Sequence, residues 1–303
     1  MEVSVEAGAA QVEARAKGVA YAAVVAQALI SSLTYLVARR ALADIAPQPL
    51  LALRFALAGA VFVAILCAGG RASIPPRALW PRLVLMGFLV GPLNQGFFFT
   101  GLALSTPAHA SLLYALTPTF VYLLSLWRGR ERLSATAVAG LTAALLGVVV
   151  LLLGRGLSAA TGPLWGDLLI LVAVLAWVAY TDQGKQLIPA HGSTRMTAWT
   201  MVMGALWVLP LFPLTVRAEA LAHASAATWA CLGYLGVVTS VISYLLWYFA
   251  LSRLDASKVA VFSNLQPVFT AVAALALLDE PIHWELVVGG ALVLAGVRLT
   301  QRA

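Results

Sequence analysis

The chain has 303 residues, of which 62% are apolar and only 10% charged, with a formal net charge of +7. Soluble domains carry about 25% charged residues, and a soluble fold of this length has nowhere to hide so large an apolar excess. The basic residues stand singly or in small groups at the ends of apolar runs, as topology determinants do. A nucleic-acid binder would gather them into one patch.

Residues 1–17 are polar and are expected to form a short disordered cytoplasmic tail. The apolar run that follows, 18–38, is longer than a signal-peptide core and has an acidic leader, so it reads as an uncleaved first span. A spanning helix needs roughly 20 mostly apolar residues. On that measure spans are predicted at 18–38, 48–68, 80–103, 108–127, 135–153, 164–186, 195–216, 228–251, 257–278 and 284–300.

Ten spans leave both termini on one side. That side collects 14 Lys and Arg against 4 on the other, with Arg54 inside a span, so the termini are expected in the cytoplasm. Every loop is short, which leaves no room for a soluble catalytic domain. There is no GxxxxGK[ST] phosphate loop and no HExxH. Asp167 and Asp182 sit 15 residues apart near opposite ends of one span, and His109, His191, His223 and His283 fall in four segments. No enzyme, metal or cofactor is therefore expected. Cys67 and Cys231 form no metal-type spacing, and a disulfide is not expected.

The chain repeats. Shifted by 149 residues, 102–148 aligns without a gap on 251–297, with 11 identities in 47 positions. Among them are Pro118/Pro267, Phe120/Phe269, Glu131/Glu280, Gly140/Gly289 and Gly147/Gly296. Five spans per unit is odd, so the second copy enters the membrane from the opposite side. The expected fold is an all-α polytopic membrane protein of ten helices in two inverted five-helix repeats, 18–153 and 164–303. In inverted-repeat transporters the solute binds between the repeats and access alternates by rocking.

The sequences Leu116-Thr117-Pro118-Thr119-Phe120 with Glu131, Leu265-Gln266-Pro267-Val268-Phe269 with Glu280, and Pro49-Leu50-Leu51-Ala52-Leu53-Arg54-Phe55 resemble the repeat patterns of the drug/metabolite transporter superfamily, in its EamA-type branch. The resemblance covers nearly the whole chain. It implies efflux of small molecules, mostly amino acids and related metabolites, some of them aromatic, across a bacterial inner membrane. It leaves the substrate open: a drug or sugar-conjugate carrier and an uncoupled facilitator or channel remain as alternatives.

Polar side chains are costly in hydrocarbon and face the protein interior. Candidates to line a cavity are Gln27 in the first span, Asn94, Gln95 and Phe98 in the third, and Tyr114 in the fourth. The second half offers Trp177, Tyr180, Trp199, Tyr244, Trp247, Tyr248, Ser263 and Asn264. As a set they describe an aromatic-walled cavity with a few amides and hydroxyls, suited to an amphipathic solute. Mid-span amides also serve as glue between helices. Gln27, Ser31 and Tyr35 lie four apart on one face. Trp80, Trp127, Trp165, Trp229 and Trp284 are expected at the membrane interfaces.

Pro118 and Pro267 fall mid-span, where a proline removes a backbone hydrogen bond and makes either a hinge or a fixed kink. Arg54, His109 and Asp182 are candidates for coupling or gating. Arg54 is read chiefly as a structural group, His109 as lying near the outer surface, and no deep carboxylate is expected. The glycine ladders Gly140/Gly147 and Gly289/Gly290/Gly296 are expected to pack within each half, with a dimer contact as the alternative. The expected partners are a small-molecule substrate and the lipid bilayer, with no nucleic acid; monomer and homodimer both stay open.

Overall fold

The structure is a computed structural model that describes residues 2–70, 74–129, 134–153, 162–215, 224–278 and 283–300. Among the described residues it is helical, without strands. The helices are α1 (Glu2–Ala41), α2 (Pro47–Ala68), α3 (Arg77–Leu104), α4 (Pro107–Trp127), α5 (Ala135–Leu153), α6 (Gly162–His191), α7 (Ser193–Leu214), α8 (Ala226–Leu251), α9 (Ala256–Ala260, Val261–Asn264 and Leu265–Leu278) and α10 (Trp284–Thr300). Within the described residues, seven stretches are long and apolar enough to cross a membrane: Ala16–Ala41 of α1, and α2, α3, α4, α6, α7 and α8. Ala135–Val150 of α5 is a shorter apolar helix.

The N-terminal stretch differs from expectation. Residues from Glu2 onward continue α1 as helix instead of forming a disordered tail. Their Ala, Glu, Arg and Lys content favours helix once a stable span nucleates it. Glu131 and Glu280 lie outside the described residues.

Local chemistry sets several boundaries. α2 opens with Pro47 in its first turn, where no amide partner is needed. The Thr106 hydroxyl caps α4 by accepting from the His109 amide at 3.4 Å, with Pro107 beginning the first turn. Ser225 caps α8 through the Thr228 amide at 3.2 Å. Gly192, at φ +80°, lets the chain reverse between α6 and α7.

Four helices are irregular, and they are repeat partners. α3 is π-helical over Leu89–Gly96 and α8 over Tyr234–Ser243; the 149-residue shift superposes 89–94 on 238–243. Such wide turns recur at functional sites. α4 is interrupted at Ala115 and Leu116, just before Pro118, and α9 passes through a 3₁₀ segment, Val261–Asn264, just before Pro267. Each proline thus stands in the first turn after a break.

Packing interlaces the halves. α1 lies against α8 and α9 as α6 lies against α3 and α4, while α2 packs on α7, α4 on α9 and α5 on α10. Glycines permit the closest approaches: a Cβ on Gly101 would stand 2.6 Å from the Gly166 carbonyl oxygen, and one on Gly147 2.6 Å from that of Gly289. The ladders on α5 and α10 therefore join the two halves and do not pack within each. Two cations hold equivalent helix ends. Arg39 Nη1 donates to the carbonyls of Leu102 and Ala103 at 3.2 and 3.1 Å, and Lys185 Nζ to those of Leu251 and Leu254, both at 2.6 Å. Leu102 and Leu251 are repeat equivalents, and a cation there satisfies terminal carbonyls.

The outer surface is apolar, as a lipid-facing surface must be. Trp127, Trp165, Trp229 and Trp284 are exposed, whereas Trp80 stacks edge-on against Trp199 at 5.1 Å.

Candidate functional site

Where α1, α2, α3, α4, α6, α8 and α9 converge they line a partly open cavity of about 60 Å³. That is room for a few water molecules, so a larger solute needs the helices to part. The wall carries Gln27, Ser31, Thr34 and Tyr35 of α1, Arg54 of α2, Asn94, Gln95 and Phe98 of α3, and Tyr114 of α4. From the second half come Trp177 of α6, Thr239, Ser243, Tyr244 and Trp247 of α8, and Ser263 and Gln266 of α9. Asn94/Ser243, Gln95/Tyr244, Phe98/Trp247 and Tyr114/Ser263 are repeat-equivalent pairs, so half of the wall comes from the same positions of both copies.

The rings form two clusters. Tyr35, Phe98 and Tyr114 meet edge-to-face at 5.7 to 6.0 Å. Across the cavity Trp177 touches Tyr244 at 5.5 Å and Trp247 at 5.3 Å, and Tyr180 continues the cluster outward to Tyr248 at 5.4 Å.

One polar network spans the floor between them. Asn94 Nδ2 donates to Tyr114 OH and to the Ala173 carbonyl, each at 2.8 Å. Gln95 Nε2 donates to Asn94 Oδ1 and, at 3.3 Å, to its own repeat equivalent, Tyr244. The two repeats thus meet at equivalent residues. Arg54 Nη1 donates to Gln95 Oε1 at 2.5 Å and Arg54 Nε to Ser240 Oγ at 2.6 Å, with the guanidinium carbon 5.4 Å from the Phe99 ring centre. Ser240 in turn donates to the Leu235 carbonyl, five residues back, at 2.7 Å inside the π-helical stretch. Along α1, Gln27 donates to Ser31 at 2.8 Å, Thr34 meets Thr239 at 2.9 Å, and Tyr35 donates to Gln266 at 2.8 Å. Gln27 Oε1 and Trp247 Nε1 are buried without a hydrogen-bond partner.

The comparisons follow this geometry. The EamA-like transporter family model matches residues 18–153 and again 164–301. The chain belongs to the EamA-like transporter family. An uncharacterised transporter of Archaeoglobus fulgidus is 30% identical over 258 residues, 85% of this chain and 90% of that protein. A probable amino-acid metabolite efflux pump of Escherichia coli is 27% identical, covering 89% and 90%. A probable terminal-alkyne amino-acid exporter of Streptantibioticus cattleyicolor is 31% identical over 64% of this chain and 63% of its own. One crystal structure superposes with a TM-score of 0.66 at 23% identity, over 94% of this chain and 96% of that one. The protein is thus a multi-pass membrane transporter carrying two EamA repeats.

Within this EamA-like transporter, Gln27, Asn94, Gln95, Phe98, Tyr114, Trp177, Tyr244, Trp247 and Ser263 stand on the cavity wall as candidates drawn from the sequence. Tyr180, Trp199, Tyr248 and Asn264 do not. Tyr180 donates or accepts at Thr200 Oγ1 (3.0 Å) behind the ring cluster, and Trp199 belongs to the Trp80 contact. Arg54 is 1% exposed and faces the cavity, not the membrane interface.

The other two coupling candidates lie outside the cavity. His109 Nδ1 is 3.2 Å from Asp167 Oδ2, and Ser105 donates to the same carboxylate, tying the end of α3 and the starts of α4 and α6. Asp182 pairs with Arg128 at 2.6 Å and accepts from Gln186 at 2.8 Å. Asp167 is fully buried though only five residues inside α6. Position along a span placed it near one end of α6 but said nothing of its burial by neighbouring helices. Sequence reasoning also passed over Thr34, Thr239 and Ser243 on the wall. Their signal was present: Ser243 is the repeat equivalent of Asn94.

Proposed function

We propose that this protein is a secondary exporter of the bacterial inner membrane, moving amino acids with apolar or aromatic side chains, or closely related metabolites. It does so by alternating access through the cavity at the seam of two inverted five-span halves, ten spans in all with both termini in the cytoplasm. The observation that carries this reading is the cavity wall itself, half of it built from equivalent positions of both repeats around the Gln95–Tyr244 contact. Two ring clusters receive an apolar side chain, and amides, hydroxyls and a guanidinium receive polar backbone groups. The relatives named as amino-acid exporters or efflux pumps support the same class. With a cavity this small, opening to either side requires the broken helices α4 and α9 to move, with Pro118 and Pro267 as hinges.

The test is saturable flux of labelled Phe or Met in proteoliposomes, competed by unlabelled Phe and Met and run with and without a pH gradient. Flux indifferent to those competitors rejects the substrate class, and flux without saturation favours a channel. Pro118→Ala and Pro267→Ala are expected to slow transport several-fold with folding intact. Accessibility labelling that places the two termini on opposite sides overturns the topology.

A further inference from the structure

We propose that Arg54 receives the carboxylate of the transported solute, and so restricts the cavity to carboxylate-bearing amphipaths. This rests on the cavity being the solute site. A guanidinium is always protonated, and an ionised group inside a membrane protein pairs with an opposite charge or faces a water-filled path. Arg54 is 1% exposed, lies within α2, and its hydrogen bonds go to the neutral Gln95 and Ser240. No carboxylate lines the cavity among the described residues. The two described buried or half-buried carboxylates nearest in kind, Asp167 and Asp182, are engaged with His109 and Arg128.

The rest of the wall is consistent with a polar occupant. Gln27 Oε1 is a buried acceptor and Trp247 Nε1 a buried donor, neither with a partner, and both residues line the same space. Buried polar atoms are ordinarily paired, so these two are available to a polar occupant of the cavity. The two bonds that Arg54 does make use Nε and Nη1, and they fix the plane of the guanidinium by tying it to both π-helical stretches. A planar, oriented fork recognises a carboxylate better than a point charge does.

The full-length protein, purified in detergent, reports binding through quenching of Trp177 and Trp247 fluorescence. L-Phenylalanine and 3-phenylpropionate are compared with L-phenylalaninamide, which keeps the ring and loses the carboxylate. The two acids are expected to bind about 10- to 100-fold more tightly than the amide, the range for a hydrogen bond to a charged group. Arg54→Gln should erase that preference, and Arg54→Lys should retain part of it. Gln95→Glu supplies an internal counter-charge and keeps the fold testable if Arg54→Gln does not assemble. It should abolish the preference for acids while leaving amide binding in place.

An amide that binds as well as the acids, no binding of either acid, or a preference that survives both Arg54→Gln and Gln95→Glu overturns the proposal. Liposome flux separates this from the transport reading. Saturable amide flux without acid preference leaves a transporter in which Arg54 is structural. Acid preference in detergent without flux leaves the site and removes the transporter.

Discussion

The two π-helical stretches share a backbone device and differ in chemistry. In the first half, Leu89–Gly96 carries Pro92, Asn94 and Gln95, and its amides take up Arg54, Tyr114 and the Ala173 carbonyl. In the second, Tyr234–Ser243 carries only hydroxyls facing the cavity, Thr239 and Ser243, with Ser240 turned to its own backbone and to Arg54. Duplication preserved the wide turn, which re-aims side chains into the seam, while the guanidinium and the paired amides Asn94 and Gln95 stayed in the first half and the second half contributes one amide, Gln266 of α9. The wall is therefore asymmetric in charge, with Arg54 as its one charged side chain among the described residues.

The largest effects should come where that shared backbone leaves no space. Gly101 meets the Gly166 carbonyl across α3 and α6, whereas its repeat counterpart Ala250 already carries a methyl on α8. Gly101→Val is expected to cost about 3 kcal/mol through overpacking, read as a lower thermal midpoint in detergent together with loss of flux. Gly233→Ala, with nothing within 4 Å of its new methyl, should instead gain about 0.5–1 kcal/mol from helix propensity. A Gly101 variant as stable as wild type would mean the two helices are not in contact in the folded protein.

The polar asymmetry gives the next effect. Asn94→Leu removes the donor to the Ala173 carbonyl and to Tyr114 and the acceptor of Gln95, and should cost about 1–3 kcal/mol. Ser243→Ala, at the equivalent place, should stay within about 0.5 kcal/mol. Equal losses at both positions, measured by thermal melting, would erase the distinction between the halves.

How much of this the sequence disclosed follows from what each residue reports. Apolar run length and the 149-residue repeat are properties of the chain alone, so the helical bundle and its two EamA copies were legible. The polar residues at the middles of spans, Asn94, Gln95, Tyr244 and Gln27, were legible too, because hydrocarbon admits few of them and each needs an interior. Rotation about a helix axis was harder to read: Tyr180 and Tyr248 are as aromatic as Trp177 but sit one step behind it. Which helices cross the seam was not written in any one segment. The glycine ladders of α5 and α10 read as packing within each half, and only the assembled bundle shows them joining the two halves. Asp167 was hidden for the same reason, since its burial comes from α3 and α4.

Smaller effects belong to the helix ends. Arg39 and Lys185 each take the equivalent carbonyl, Leu102 or Leu251, and one neighbour at the ends of α3 and α8, so Arg39→Gln and Lys185→Gln should each cost about 0.3–1 kcal/mol, and similar amounts. A marked inequality would show that the two latches bear different loads, which hydrogen exchange at Leu102–Leu104 and Leu251–Leu254 resolves.

The smallest effect concerns the start of α8, where Asp44 of the α1–α2 turn accepts from Thr228 Oγ1 at 2.5 Å and from Ser225 Oγ at 2.8 Å. Those two hydroxyls, helped by the Ser225 amide and Arg40, hold the Asp44 carboxyl down at about 2, below the usual carboxylate range. A depressed value makes the contact complete above a pH of about 4 and lost only as pH falls through about 2. Exchange protection of the first turn of α8 should therefore be the same at pH 7 and pH 4 in the wild type, and weaker at both in Asp44→Ala. Protection that already fell between pH 5 and pH 4 would make Asp44 an ordinary solvated carboxylate, and the Ser225 cap would then have to hold the turn unaided.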